Sequence, residues 1–298
     1  MRIRPFDFKA AVSLQDALIQ LDQSGPDARL LAGGTDLVLN MKKKTIFPSK
    51  VISLHLIKNL EYVEEKNGMI HIGAMAKHAD LAINPILEKE VSILCQAVGL
   101  IGSWQVRNIG TIGGNLCNAS PAADSAPPLL ALDASVVIAT LKGDKIIPIT
   151  SFFCGPAQTI IKSNEILKEI LIKKPVNPSA GCYLKLRRRK AVDISLAGVA
   201  FQAETDPTGK RIGQVKIALG GVAPTPIRVP DAETCLTGLC IDDAFEKIAL
   251  CAQKAARASK PIDDVRATAD YKSTIVNVFV QRCAQHVLTT LKNQRGKS

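Results

Sequence analysis

The sequence predicts an α+β protein of two or three domains, and three observations carry this. Apolar runs that alternate with period 2 are interleaved with segments of helical spacing. Two Gly-Gly stretches punctuate the first half, LLAGGTDL at 30–37 and RNIGTIGGNLCNASPAAD at 107–124. A proline-bounded stretch, Pro175-Val-Asn-Pro178, reads as a linker between two larger parts. The chain has 298 residues, enough for more than one core.

Residues 1–55 are expected to form a small α+β unit. Phe6-Asp-Phe8 starts extended. Ser13 is a good N-cap, and Leu14, Ala17, Leu18 and Leu21 follow at helical spacing until Gly25-Pro26 breaks the helix. Arg29–Ala32 reads as a short strand delivering the first glycine stretch. Leu37–Met41 continues as a helix whose N-terminal amides would favour phosphate. Lys42–Lys44 is its solvated end, and Val51–Leu54 a strand.

Residues 56–175 read as a second α+β unit. Tyr62-Val-Glu64 and Met69–Ile72 alternate around Asn67-Gly68, a hairpin pattern. A helix is expected near Ala79–Ala82 and another over Ile86–Val98, ending at Gly99. The second glycine stretch follows, then a helix start at Pro127–Leu132. Val136–Thr140 and Lys145–Pro148 form a strand pair turned by Lys142-Gly143-Asp144, and Glu165–Lys173 is extended. Residues 179–290 look like a separate α+β domain. Cys182–Leu186, Ser195–Gln202 and Gln214–Leu219 are its strands. Ala244–Ala258 is an amphipathic helix with Phe245, Ile248, Ala249, Ala252 and Ala255 inward, and Ala267–Leu291 contains a longer helix.

Composition bounds the function. Apolar residues make up 47% and charged residues 22%, a globular profile. No stretch has the roughly 20 apolar residues of a membrane span. MRIRPFDFKAA has charges but no apolar core, so no secretory signal is expected and the cytoplasm is the expected location. The net charge of +11 suits an anionic cofactor, an acidic partner or nucleic acid. Aromatics are only 4% and the basic residues are scattered, which argues against nucleic acid. The eight cysteines include no CxxC pair and have no zinc or iron–sulfur spacing, so they read as buried thiols. His55, His71, His78 and His286 are dispersed, and no general acid or base is assigned.

The glycine stretches point to an anionic ligand. No lysine or arginine occurs from Asn108 through Leu141. A Gly-Gly pair allows positive φ and close backbone approach. Successive N–H groups in such a turn form an anion site without a cationic side chain. Thr111 and Asn115 add donors, and Asp124 accepts from hydroxyls or ring N–H groups. Neither stretch matches the dinucleotide-binding GxGxxG pattern. Two such turns suggest two loops closing on one phosphate-rich ligand.

AGGTDL at 32–37 and RNIGTIGGNLCNASPAAD at 107–124 closely resemble the flavin-diphosphate loops of the FAD-binding medium subunit of molybdenum hydroxylases, and the resemblance runs over essentially the whole chain. That family includes xanthine dehydrogenase, aerobic carbon monoxide dehydrogenase and nicotinate dehydrogenase. The resemblance implies the two-subdomain FAD-binding fold of the vanillyl-alcohol oxidase and p-cresol methylhydroxylase type, with a C-terminal α+β domain. It implies that Leu30, Leu31, Ala32, Gly33, Gly34, Thr35, Asp36 and Leu37 wrap the diphosphate. Thr111, Ile112, Gly113, Gly114 and Asn115 would make a second clasp, and Asp124 would sit beside the cofactor's polar chain. Lys185, in YLKLRRRKAVDIS, matches a lysine that reaches the flavin; a solvated strand end is the alternative. Leu167 and Ile101 match apolar positions at the ring, with core packing as the alternative.

The resemblance also implies partners: a small subunit with two [2Fe–2S] clusters and a large subunit with molybdopterin. Electrons would pass through the clusters to FAD and then to an acceptor, commonly NAD+. A self-contained flavin oxidase of the same superfold is the alternative. Arg187–Lys190 reads as a surface turn, with an Arg189–Asp193 ion pair and a docking role toward the iron–sulfur partner as a hypothesis. Trp104, the only tryptophan, departs from the family pattern. It is open to the flavin, a partner surface or the core.

Overall fold

The computed structural model describes residues 3–189 and 192–295. Strands β1 (Asp7–Ala10), β2 (Ala28–Leu31) and β3 (Lys50–Ser53) form a wholly parallel sheet in the order β1-β3-β2. Helices α1 (Leu14–Ser24) and α2 (Leu37–Lys43) make the crossovers that parallel strands require. Ser13 caps α1 by accepting the Asp16 N–H (3.0 Å), and Gly25 ends it at φ 70°. Ala17, Leu18 and Leu21 of α1 pack on Ala28, Ile52 and Leu54.

The second body carries helices α3 (His78–Leu81), α4 (Pro85–Val98), α5 (Trp104–Ile109), α6 (Ile112–Cys117) and α7 (Ala126–Ala131). Its strands are β4 (Val63–Lys66), β5 (Met69–Gly73), β6 (Ser135–Thr140), β7 (Gly143–Pro148) and β10 (Ile166–Lys173), antiparallel in the order β4-β5-β10-β6-β7. A small hairpin, β8 (Phe153–Gly155) with β9 (Gln158–Thr159), lies between β7 and β10. Asn67 (φ 52°) and Gly68 (φ 72°) are both left-handed, as a two-residue hairpin of this twist demands. The β6–β7 turn is Leu141-Lys142 rather than Lys142-Gly143-Asp144. Gly143 and Asp144 already pair with Thr140 and Ala139, and the Thr140 hydroxyl donates to Gly143 O (2.8 Å) and accepts from Lys142 N (3.0 Å).

Strands β11 (Ser179–Leu186), β12 (Ala197–Thr205), β13 (Ile212–Gly220) and β14 (Ile227–Arg228) form a third, antiparallel sheet. Helices α8 (Pro230–Glu233), α9 (Ile241–Ala258) and α10 (Ala269–Arg295) follow. Val199, Phe201 and Ile217 meet Ala252, Val280 and Ala284 on one face. Tyr183, Ala200 and Ala218 join the core of the second body on the other. A Cβ at Gly181 would stand 2.8 Å from the Ile93 side chain, and one at Gly220 2.8 Å from Pro127. The third sheet is covered on one side by α10, with α9 packed on α10, and on the other by α4 and α7. In α9, Ala249 is exposed, contrary to expectation. The buried stripe is Ala244, Ile248, Cys251, Ala252 and Ala255, and Ala249 lies one step round the helix from it.

Candidate functional site

The first glycine stretch leaves β2 at Leu31 and enters α2 at Leu37. Gly34 turns the chain at φ 73°. None of the main-chain N–H groups from Gly33 through Leu37 has an acceptor among the described residues. Such a row of idle donors, wrapped round a left-handed residue at a helix start, is an anion-binding concavity. Arg29 stands at its edge, with Nη1 held by the carbonyls of Pro26 (2.6 Å) and Ala28 (2.8 Å).

The second stretch is built differently from the expected nest. Gly113 and Gly114 lie in the first turn of α6 and are not left-handed. Residues 110–113 are zipped to 74–78: Gly113 N–H donates to Ala74 O (2.9 Å), Ile112 N–H to Ala76 O (3.0 Å) and His78 N–H to Gly110 O (3.0 Å). Thr111 caps α6 by accepting the Gly114 N–H (3.1 Å). These donors are therefore committed within the protein. The glycines serve close approach instead. A Cβ at Gly113 would stand 2.7 Å from Ala74 O, and one at Gly33 would stand 2.1 Å from Ile109 O. The two stretches thus abut main chain to main chain. Asn118 of the second also donates to Asp36 of the first (3.3 Å).

Between them lies a cavity of about 650 Å³. Leu30, Ala32, Gly33, Gly34, Thr35, Asp36 and Leu37 line one side, and Thr111, Gly113, Gly114, Asn115 and Asp124 the other. Ile101 and Leu167 add apolar wall. A bulge in β10 between Leu167 and Glu169 shifts the register there, breaking the alternation of faces beside the cavity.

Leu31, Ile112 and Lys185 are not in the lining. Leu31 follows Leu30 on the opposite face of β2 and packs under Gly34. Ile112 is sealed in the core. Lys185 has a side chain 2% exposed, and its Nζ bonds Asp124 Oδ2 (2.6 Å) and Leu100 O (3.2 Å). It reaches the site only through Asp124, whose Oδ1 accepts the Tyr183 hydroxyl (2.7 Å). Burial pushes the Asp124 carboxyl above its usual range, against the pull of the Lys185 ammonium.

Several lining residues escaped the sequence reading. Val192, Asp193 and Ile194 reach the cavity from the C-terminal part, with Val192 N–H bonded to Gly102 O (3.2 Å). Asp193 fixes this segment by accepting the N–H groups of Arg188 and Arg189, and it pairs with Arg189 Nη2 at 3.7 Å. Lys190 of the basic cluster lies outside the described residues. His78 and Cys117 also line the wall. Trp104 is 72% exposed under the Arg107 guanidinium and does not line the cavity, so it is not a core residue.

Comparison with known proteins gives the family. Residues 4–175 match the FAD binding domain in molybdopterin dehydrogenase, and residues 182–287 match the CO dehydrogenase flavoprotein C-terminal domain. The carbon monoxide dehydrogenase medium chain of Hydrogenophaga pseudoflava is 33% identical over 93% of this chain and 95% of its own length. The glyceraldehyde dehydrogenase medium chain of Sulfolobus acidocaldarius is 31% identical over 95% and 98%. The solved carbon monoxide dehydrogenase of H. pseudoflava superposes with a TM-score of 0.92 at 32% identity, covering 97% of this chain and 99% of that one. The chain belongs to the family of FAD-binding medium subunits of molybdenum hydroxylases. It is an oxidoreductase subunit, and its cofactor is FAD. No helix among the described residues is long and apolar enough to cross a membrane.

Proposed function

We propose that FAD occupies the cavity with its diphosphate on the N–H row of Gly33 through Leu37. The observation that carries this is that row itself: consecutive donors with no acceptor among the described residues, lining a chamber in a chain of this family. Each N–H to phosphate bond is charge-assisted, worth about 1.5–3 kcal/mol. Thr111, Gly114 and Asn115 form the facing wall, and Asp124, held by Lys185 and Tyr183, offers its carboxylate to hydroxyls of the cofactor's polar chain. Ile101 and Leu167 supply apolar surface for the ring. In this arrangement residues 1–55 and 56–175 hold FAD between them, and residues 179–290 close the site through Val192–Ile194.

Bound FAD accepts electrons singly or in pairs, which suits a relay between clusters and a two-electron acceptor. The relatives are medium chains of dehydrogenases, which supports a place in a larger complex. The partners we assign are a small subunit with two [2Fe–2S] clusters and a large molybdopterin subunit, in the cytoplasm, with NAD+ as the terminal acceptor. The exposed guanidinium side chains of Arg187, Arg188 and Arg189, beside the Asp193 wall, offer a basic docking face for the iron–sulfur subunit.

Purification from the native host tests both levels. The expected product is yellow, has a flavin spectrum and brings two further chains with iron and molybdenum. A chain that takes up no FAD overturns the site. A yellow chain that purifies alone, without iron, overturns the relay.

A further inference from the structure

His78 opens α3 at the place where the two glycine stretches meet. It is 1% exposed and belongs to the cavity wall. Its imidazole lies against Gly110: Cδ2 and Nε2 are 3.3 and 3.8 Å from where a Cβ on that residue would stand. A side chain at 110 would also meet Val106 O at 2.9 Å, so the bare glycine is what admits the ring.

The two ring nitrogens have different surroundings. Nδ1 is sealed and has no hydrogen-bond partner among the described residues. Nε2 is not sealed, makes no hydrogen bond to any described residue, and sits on a residue of the cavity wall. Burial, with the nearby Arg107 guanidinium adding to it, pushes the His78 pKa down to about 4, so the ring is neutral at pH 7 and carries one N–H. A sealed N–H without an acceptor is a rarer and costlier defect than a sealed bare acceptor. The proton therefore belongs on Nε2, and the donor opens to the cavity.

We propose that His78 is a cofactor-binding residue whose Nε2–H donates to an acceptor oxygen of FAD. This rests on the cavity being the FAD site. It gives one role to three features the sequence left unconnected: a histidine without a partner, the glycine at 110 and the pairing of 74–78 with 110–113. The donor adds to the N–H row, and no proton is transferred.

The test is FAD titration of the flavin-free chain, read by quenching of flavin fluorescence, for wild type, His78→Gln and His78→Phe. Glutamine places an amide N–H near the Nε2 position, whereas phenylalanine fills the volume without a donor. Thermal unfolding of the flavin-free chains checks that each is folded. The expected result is a dissociation constant raised about tenfold or more in H78F and within about threefold of wild type in H78Q. An H78F chain that binds FAD like wild type overturns the assignment, and so does an H78Q chain as weak as H78F. A wild-type chain that binds no FAD overturns the site reading instead.

Discussion

Gly33 is bare because a backbone carbonyl occupies the space its side chain would need. A Cβ there stands 2.1 Å from Ile109 O, and neither partner is a flexible side chain. Gly33→Ala must therefore push the two glycine stretches apart, at about 1–3 kcal/mol for overpacking and toward the upper end. FAD titration should show binding weakened well beyond tenfold, since the N–H row moves with residue 33. His78 supplies a pH test. Its folded pKa of about 4 lies below the ordinary 6.5, so its contribution to stability is complete above pH 6.5 and is lost as pH falls toward 4. About 2 kcal/mol should be gone by pH 5. Urea unfolding of flavin-free wild type and H78Q at pH 7 and pH 5 isolates it: the wild type should lose about that much more than the variant. At this scale the sequence marked Gly33, Gly34, Thr111 and Asp124 by residue type. It did not reveal which N–H groups were idle or that His78 lacks a partner among the described residues, because both depend on bonds between segments far apart in the chain.

Turns and caps were the most legible elements, since their chemistry is local. Asn67-Gly68 announced a hairpin, and Ser13 announced a helix start. Gly68 has open space around its missing Cβ, so Gly68→Ala carries only the cost of a left-handed residue, about 1–2 kcal/mol. Denaturant midpoints should fall accordingly while FAD affinity stays at the wild-type value. Thr111→Val removes the α6 cap and should cost about 0.5–2 kcal/mol, with Thr111→Ser restoring it. What misled was rotation and partnership. Ala249 looked inward because it sits among apolar neighbours, yet the stripe through Ala244, Ile248 and Cys251 turns it to solvent. The second glycine stretch looked like a turn, but pairing with 74–78 makes it a capped helix start.

The whole molecule is joined across the boundary that the Pro175–Pro178 linker suggests. Asp133, after α7, pairs with Lys216 and Arg228 of the third sheet, and Arg228 also holds Glu233. Beside the cavity the link is Asp124 with Lys185 and Tyr183. The resemblance directed Lys185 to the flavin; its bond to Asp124 depends on how β11 docks, which no local pattern encodes. Removing one member of this buried pair leaves the other unpaired. Asp124→Asn strands an ammonium whose side chain is 2% exposed, and Lys185→Met strands a carboxylate; each should cost about 3–5 kcal/mol in urea unfolding of the flavin-free chain. The double variant D124N/K185M keeps volume and removes both charges, so it should recover most of that loss rather than add the two. Strict additivity would mean that the two side chains act on the fold independently. FAD affinity separates this joint from the site. Asp124 lines the cavity, so the double variant should regain stability while its FAD binding stays weak, whereas a joint with no part in the site would regain both.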